Sequence, residues 1–199
     1  MIVSLKSVLL VVLIFMMAHC DSTTVPEKKL PLPLKTKVSA SDSVVQSEIK
    51  KHLKKSTALI GTRYPFLGLL SQETGIASDI LSQRVVILNF SFSSCRPCIL
   101  ELDGLKLLYE KLKDNKNALF ISITPDDSST SNEFVKQYNL PYTPIPVKRV
   151  ICSKLNFENG YPTNIILKAG TIKKIHSGGF ATKQQSSDFF NERIYHGNR

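Results

Sequence analysis

The chain has no tryptophan, and only four cysteines and four histidines are spread through its 199 residues. A structural zinc site needs four ligands, and beyond Cys95 and Cys98 no second close Cys or His pair is present, so no metal is expected. His176 and His196 have no partners at metal or triad spacing. Signatures of nucleic-acid readers are also missing: no helix-turn-helix, zinc-finger or RNA-binding aromatic pattern accompanies the formal charge of +10. The Lys and Arg residues are dispersed, so the charge does not point to a nucleic acid. Finally, no apolar run reaches the ~20 residues of a comfortable transmembrane helix.

The longest such run does carry information. After Lys6, the stretch from Val8 to Ala18 is uninterruptedly apolar, which is the length of a signal-peptide core; an uncleaved membrane anchor is the alternative. Residues 1–20 are therefore expected to direct export. Cys20 ends this segment where a lipoprotein signal places its lipidated cysteine, although His19 stands where that pattern wants a small residue. Residues 21–55 form a polar tether in which Pro26, Pro31 and Pro33 alternate with lysines and serines follow. That composition is too poor in apolar residues to build a core. Lys50, Lys51, Lys54 and Lys55 fall on a short basic helix, read as a solvated face rather than a lipid-binding one.

A globular domain is expected over 56–199. The run Pro65-Phe66-Leu67-Gly68-Leu69-Leu70 reads as an extended segment or strand, followed by a turn and short helix from Gly75. Val85-Val86-Ile87-Leu88 is short and β-branched enough for a buried strand. Leu102, Leu105, Leu108 and Leu112 then repeat at helical spacing. A second buried strand covers Ala118 to Ile123, and Thr130 with Glu133 reads as a capping box that opens a helix through Tyr138. Pro141, Pro144 and Pro146 make the next stretch a connection or edge segment. Residues 147–155 form an edge strand or a helix. A hairpin turns at Ala169-Gly170, and a closing helix covers 183–195. This order defines an α/β domain with a mixed central sheet flanked by helices.

Between the first buried strand and its helix lies Cys95-Arg96-Pro97-Cys98. A Cys-x-x-Cys beside a βαβ pattern is a redox signature. The helix N-terminus offers unpaired N–H groups and partial positive charge that stabilise a thiolate on Cys95. Arg96 adds a full positive charge. Pro97 sits early in the helix, where its missing N–H costs little.

Together with Gly160-Tyr161-Pro162-Thr163 before the hairpin, this motif resembles the thioredoxin superfamily. More narrowly, it resembles the membrane-tethered, envelope-facing thiol–disulfide oxidoreductases of the TlpA/ResA type, over residues 63–194. The resemblance implies a thioredoxin-like fold with Cys95 as nucleophile, Cys98 as resolving thiol and the two as a redox disulfide, with no cofactor beyond that pair. It implies a cis bond before Pro162, with Arg96, Pro97 and the Tyr161 backbone meeting an extended substrate. It also matches Glu101 to an acid that tunes thiol protonation; the alternative is a solvated helix residue. Asn89 takes the place where ordinary thioredoxins carry a buried aspartate. Partners implied are proteins with disulfides or thiols and a membrane-bound electron donor. The location is the extracytoplasmic face of the cell envelope, with the membrane reached through the N-terminus. Reduction is favoured over oxidation on the resemblance and on the Arg-Pro dipeptide.

Departures from that family are specific. Ser94 replaces the usual tryptophan before the first cysteine, so aromatic shielding must come from Phe92 or Tyr161, or be absent. Asp103 replaces a common helix proline. Cys152 is left over, as a buried small residue or a third redox thiol. A structural disulfide is weighed against the redox pair, but a two-residue loop restrains an unfolded chain poorly. Two functional rivals remain. A peroxiredoxin-type peroxidase wants a Pro-x-x-x-Thr-x-x-Cys approach that residues 90–95 lack, and a docking module on the same fold needs no chemistry.

Overall fold

The computed structural model describes residues 55–195. The leader, Cys20, nearly all of the tether and His196 lie outside the described residues. The elements run α1 (Leu67–Thr74), α2 (Ser78–Gln83), β1 (Val85–Phe90), α3 (Arg96–Leu112), β2 (Ala118–Thr124), α4 (Ser128–Tyr138), β3 (Ile145–Pro146), α5 (Arg149–Leu155), β4 (Thr163–Lys168), β5 (Thr171–Ser177) and α6 (Lys183–Tyr195). Among the described residues no helix is long and apolar enough to cross a membrane.

Five strands form one sheet in the order β3-β2-β1-β4-β5. The β1–β2 and β2–β3 pairs are parallel, and β1–β4 and β4–β5 are antiparallel. Central β1 alternates between two cores. Val86, Leu88 and Phe90 face α1, α2 and α5, where Leu70, Leu81 and Leu155 are fully buried. Ile87 faces the opposite core, built from Leu102, Leu105 and Leu108 of α3 with Phe134 and Phe190. The period-2 alternation of a strand therefore directs Asn89, two residues beyond Ile87, to the α3 face. The outer edge of β5 is covered by the segment before α1: Gly61 N–H donates to Ile172 O (2.8 Å), and Tyr64 N–H to Gly170 O (2.9 Å). This hides an otherwise unpaired edge.

Two local expectations are corrected, and one left open between strand and helix is decided. The segment at Leu67 is helical, not extended. Its apolar residues Phe66, Leu67, Leu69 and Leu70 fall at i, i+1, i+3 and i+4, which also suits a helical stripe. Gly75 ends the helix at φ 70° with its N–H on Ser71 O, the left-handed cap open to glycine. Helix α4 is capped by Asp127, not Thr130: the Asp127 carboxylate accepts the Thr130 N–H (2.8 Å), so Thr130 is the third helical residue. Residues 149–155 are helical, with Cys152 and Leu155 buried one turn apart.

Candidate active site

Strand β1 ends at Phe90, and the loop Ser91-Phe92-Ser93-Ser94 carries the chain to Cys95, the N-cap of α3. The loop is held from both sides. Asp126, at the end of β2, accepts Ser93 N–H (2.7 Å), and Cys95 N–H donates to Phe92 O (3.1 Å). Cys95 and Cys98 are joined in a disulfide with Cα atoms 5.2 Å apart. The Cys95 sulfur accepts Cys98 N–H at 3.2 Å. One orphan donor of the helix end is thus aimed at this sulfur, where it will favour the thiolate once the disulfide opens. Cys95 is 5% exposed and Cys98 1%, so Cys95 presents the more accessible sulfur. Arg96 and Pro97 are exposed beside it.

Glu101 lies one turn beyond Cys98 on α3 and is 0% exposed, which excludes the solvated reading. It rests on a polar rung that crosses the sheet. Asn89 is directly paired with Ser122 of β2 and Asn164 of β4, and laterally paired strand residues share a face. Asn89 Nδ2 donates to Asn164 Oδ1 (2.9 Å), Ser122 Oγ donates to Asn89 Oδ1 (3.2 Å), and Asn164 Nδ2 donates to both carboxyl oxygens of Glu101 (3.3 and 3.1 Å). Burial pushes the Glu101 carboxyl up to about 8, partly offset by the Asn164 hydrogen bond. An acid so placed is largely protonated at neutral pH and can exchange a proton under physiological conditions. Burial also raises the Tyr142 hydroxyl, and the Glu101 charge adds to that shift.

The Tyr161–Pro162 bond is cis, and Pro162 is buried at the start of β4. Among the described residues, neither the N–H nor the carbonyl of Tyr161 takes part in a backbone hydrogen bond. The Tyr161 ring meets Phe92 edge-on, with centroids 5.2 Å apart. These are the two aromatics expected to substitute for the missing tryptophan. The Gly178-Gly179 loop closes on the motif from α6: a Cβ on Gly179 would lie 2.6 Å from Pro97 Cβ. Asp103 is paired with Lys183 of α6 at 2.9 Å. Cys152 is buried on the other face of the sheet, donates to Val147 O (3.3 Å), and is pushed up by burial to about 11. Among the described residues no cluster of His, Cys, Asp or Glu could hold a metal.

Sequence reasoning placed Cys95, Cys98, Glu101, Asn89, Tyr161 and Pro162 in one neighbourhood, and the fold brings them together. It missed Asn164, Ser122 and Asp126. Asn164 did leave a signal, as a polar residue inside the apolar strand Thr163-Asn164-Ile165-Ile166-Leu167, the counterpart of Asn89 within β1.

A mixed sheet with an antiparallel β4, a disulfide at the start of the helix after β1, and a cis proline opening β4 define a thioredoxin-like protein with a Cys-x-x-Cys centre. Residues 60–174 match the model of the AhpC/TSA family, and the chain belongs to that family. Among curated proteins it is similar to the thiol-disulfide oxidoreductase ResA of Halalkalibacterium halodurans. They are 31% identical over 115 residues, which cover 55% of this chain and 62% of that protein. It is also similar to the thioredoxin-like protein YneN of Bacillus subtilis, 28% identical over 59% of this chain and 70% of that protein. Among solved structures it is similar to StoA from Bacillus subtilis (21% identity, 53% of this chain, 81% of that one, TM-score 0.44). Another is a DsbE-type thiol:disulfide interchange protein from Chlorobium tepidum (21% identity, 60% and 79%, TM-score 0.47).

Proposed function

We propose that this chain is an exported, membrane-tethered thiol–disulfide oxidoreductase that reduces disulfides in protein substrates. The observation that carries the reading is the Cys95–Cys98 disulfide at the start of α3, with the protonatable Glu101 buried one turn below it. In the dithiol form, the Cys95 thiolate attacks one sulfur of a substrate disulfide; a mixed disulfide forms and the other substrate sulfur leaves as a thiolate. Cys98 loses its proton and attacks Cys95 Sγ, which closes the protein disulfide and releases the second substrate thiol. Two electrons pass from protein to substrate. The fraction of Glu101 that is ionised near neutral pH accepts the Cys98 proton. The free backbone groups of Tyr161 support an extended substrate lying beside Cys95 by strand addition. A membrane-bound donor restores the dithiol.

The similarity to ResA and YneN supports thiol–disulfide chemistry on this fold, and the apolar leader supports export. Insulin reduction tests the chemistry: the wild type is expected to be active and Cys95→Ser to fall to background. Equal rates for the two would leave only a docking role, and peroxide consumption by the reduced protein at a faster rate than disulfide exchange would make it a peroxidase. A reduction potential as oxidising as that of a strong disulfide donor would reverse the direction. Labelling of the reduced cysteines in intact cells by a membrane-impermeant thiol reagent tests export.

A further inference from the structure

The face around the disulfide carries more exposed positive than negative charge: Arg96, Lys148 and Arg149 are exposed, and Asp126 is half-buried. Helix α5, inserted between β3 and β4, sets Arg149 with its guanidinium 5.7 Å from the centre of the Phe92 ring. Phe92 in turn meets Tyr161 edge-on and accepts Cys95 N–H through its carbonyl. Arg149 is thereby fixed beside both the reactive loop and the backbone on which an extended substrate would lie. It is exposed, as are Lys148 before it and Arg96 at the position after Cys95. Val150 is 74% exposed. Of the nearby carboxylates, Asp126 is half-buried with one oxygen accepting Ser93 N–H at 2.7 Å, and Glu101 is fully buried under the sheet rung. Among the described residues no carboxylate forms an ion pair with Arg149 or Arg96.

A guanidinium held against an aromatic ring keeps its in-plane N–H groups free, and those groups match a carboxylate in a two-point contact. We infer that Arg149 is a specificity-determining residue, and that the favoured substrates carry an acidic side chain beside the cysteine that Cys95 attacks. This rests on the proposed disulfide exchange and deepens it by naming the substrate class. Fixed charges at such a rim act mainly on encounter and on partner choice, and they weaken with salt.

The test uses the reduced protein in single turnovers with peptides that contain one internal disulfide and differ only in the residues flanking the attacked cysteine: Glu, Gln or Lys. The protein dithiol supplies the two electrons, and the products are separated after acid quench and alkylation. The wild type is expected to react faster with the Glu peptide than with the Lys peptide by about two- to fivefold, the range of an exposed ion pair. In Arg149→Glu the ratio of the two rates should invert, and in Arg149→Gln it should approach one. High salt should collapse the wild-type preference. Because the readout is a ratio, a general loss of activity in a variant does not move it. Exchange of all three peptides at equal rates, or a preference that survives in Arg149→Glu, would overturn the inference and leave the proposed chemistry standing. Failure to exchange any of the peptides, or insulin, would overturn the chemistry and the inference with it.

Discussion

Replacing Glu101 with glutamine isolates the cost of ionising a buried acid. In the unfolded chain the carboxyl titrates near its ordinary value of 4.5, whereas burial holds it at about 8 in the folded protein. A folded value raised above the unfolded one means that the stabilising contribution is complete below pH 4.5 and is lost as pH rises towards 8. Each pH unit inside that window shifts the balance by about 1.4 kcal/mol, so wild type is expected to lose about 3 kcal/mol by pH 7 relative to the glutamine variant. Above about pH 8 both forms of the wild type are ionised and the difference levels off. The variant keeps an acceptor for Asn164 Nδ2, which contacts both carboxyl oxygens, so its own offset is nearly independent of pH. The assay is urea unfolding of both oxidised proteins at half-unit steps from pH 4 to 9. Every other titrating group is shared and cancels in the difference curve. Curves that run parallel across the range would refute the claim that Glu101 is buried as a protonatable acid.

Asn164→Ala removes the acceptor for Asn89 and the donor to Glu101 at once. It should destabilise by about 2–4 kcal/mol in urea unfolding, and should raise the Glu101 carboxyl further, seen as an alkaline shift in its NMR titration. Gly104 sits where α3 meets α6, and an added Cβ would lie 2.6 Å from Ser186 Oγ and 3.0 Å from the Ser186 backbone. Gly104→Ala is therefore expected to cost about 1–3 kcal/mol. Gly68→Ala on α1, where nothing lies within 4 Å, should be neutral or stabilise by up to about 1 kcal/mol; the opposite order of these two variants in a thermal melt would contradict the packing described here.

The sequence alone carried the α/β class, the strand that feeds the cysteine pair, the hairpin at Ala169-Gly170 and the closing helix. Those features are written in local period and turn chemistry, which act over a few residues. The pairing of Cys95 with Cys98 and the proximity of Pro162 were legible because short motifs imply them. Helix against strand at Leu67–Leu70 was not legible, because four apolar residues in six fit both periods and packing under β1 and β5 made the choice. The cap of α4 was missed for a related reason: both Asp127 and Thr130 can cap, and the end of β2 set where the helix starts. Glu101 shows the limit most clearly. Its spacing from Cys98 placed it on the right helix face, but its burial depends on Asn89, Ser122 and Asn164, which come from three strands separated by up to 75 residues. Only the register of the assembled sheet lays them side by side. The chain therefore determined by itself where the Cys-x-x-Cys pair and its neighbouring acid lie in sequence; the tertiary structure decided that this acid is buried and that Arg149 stands over the Phe92 ring.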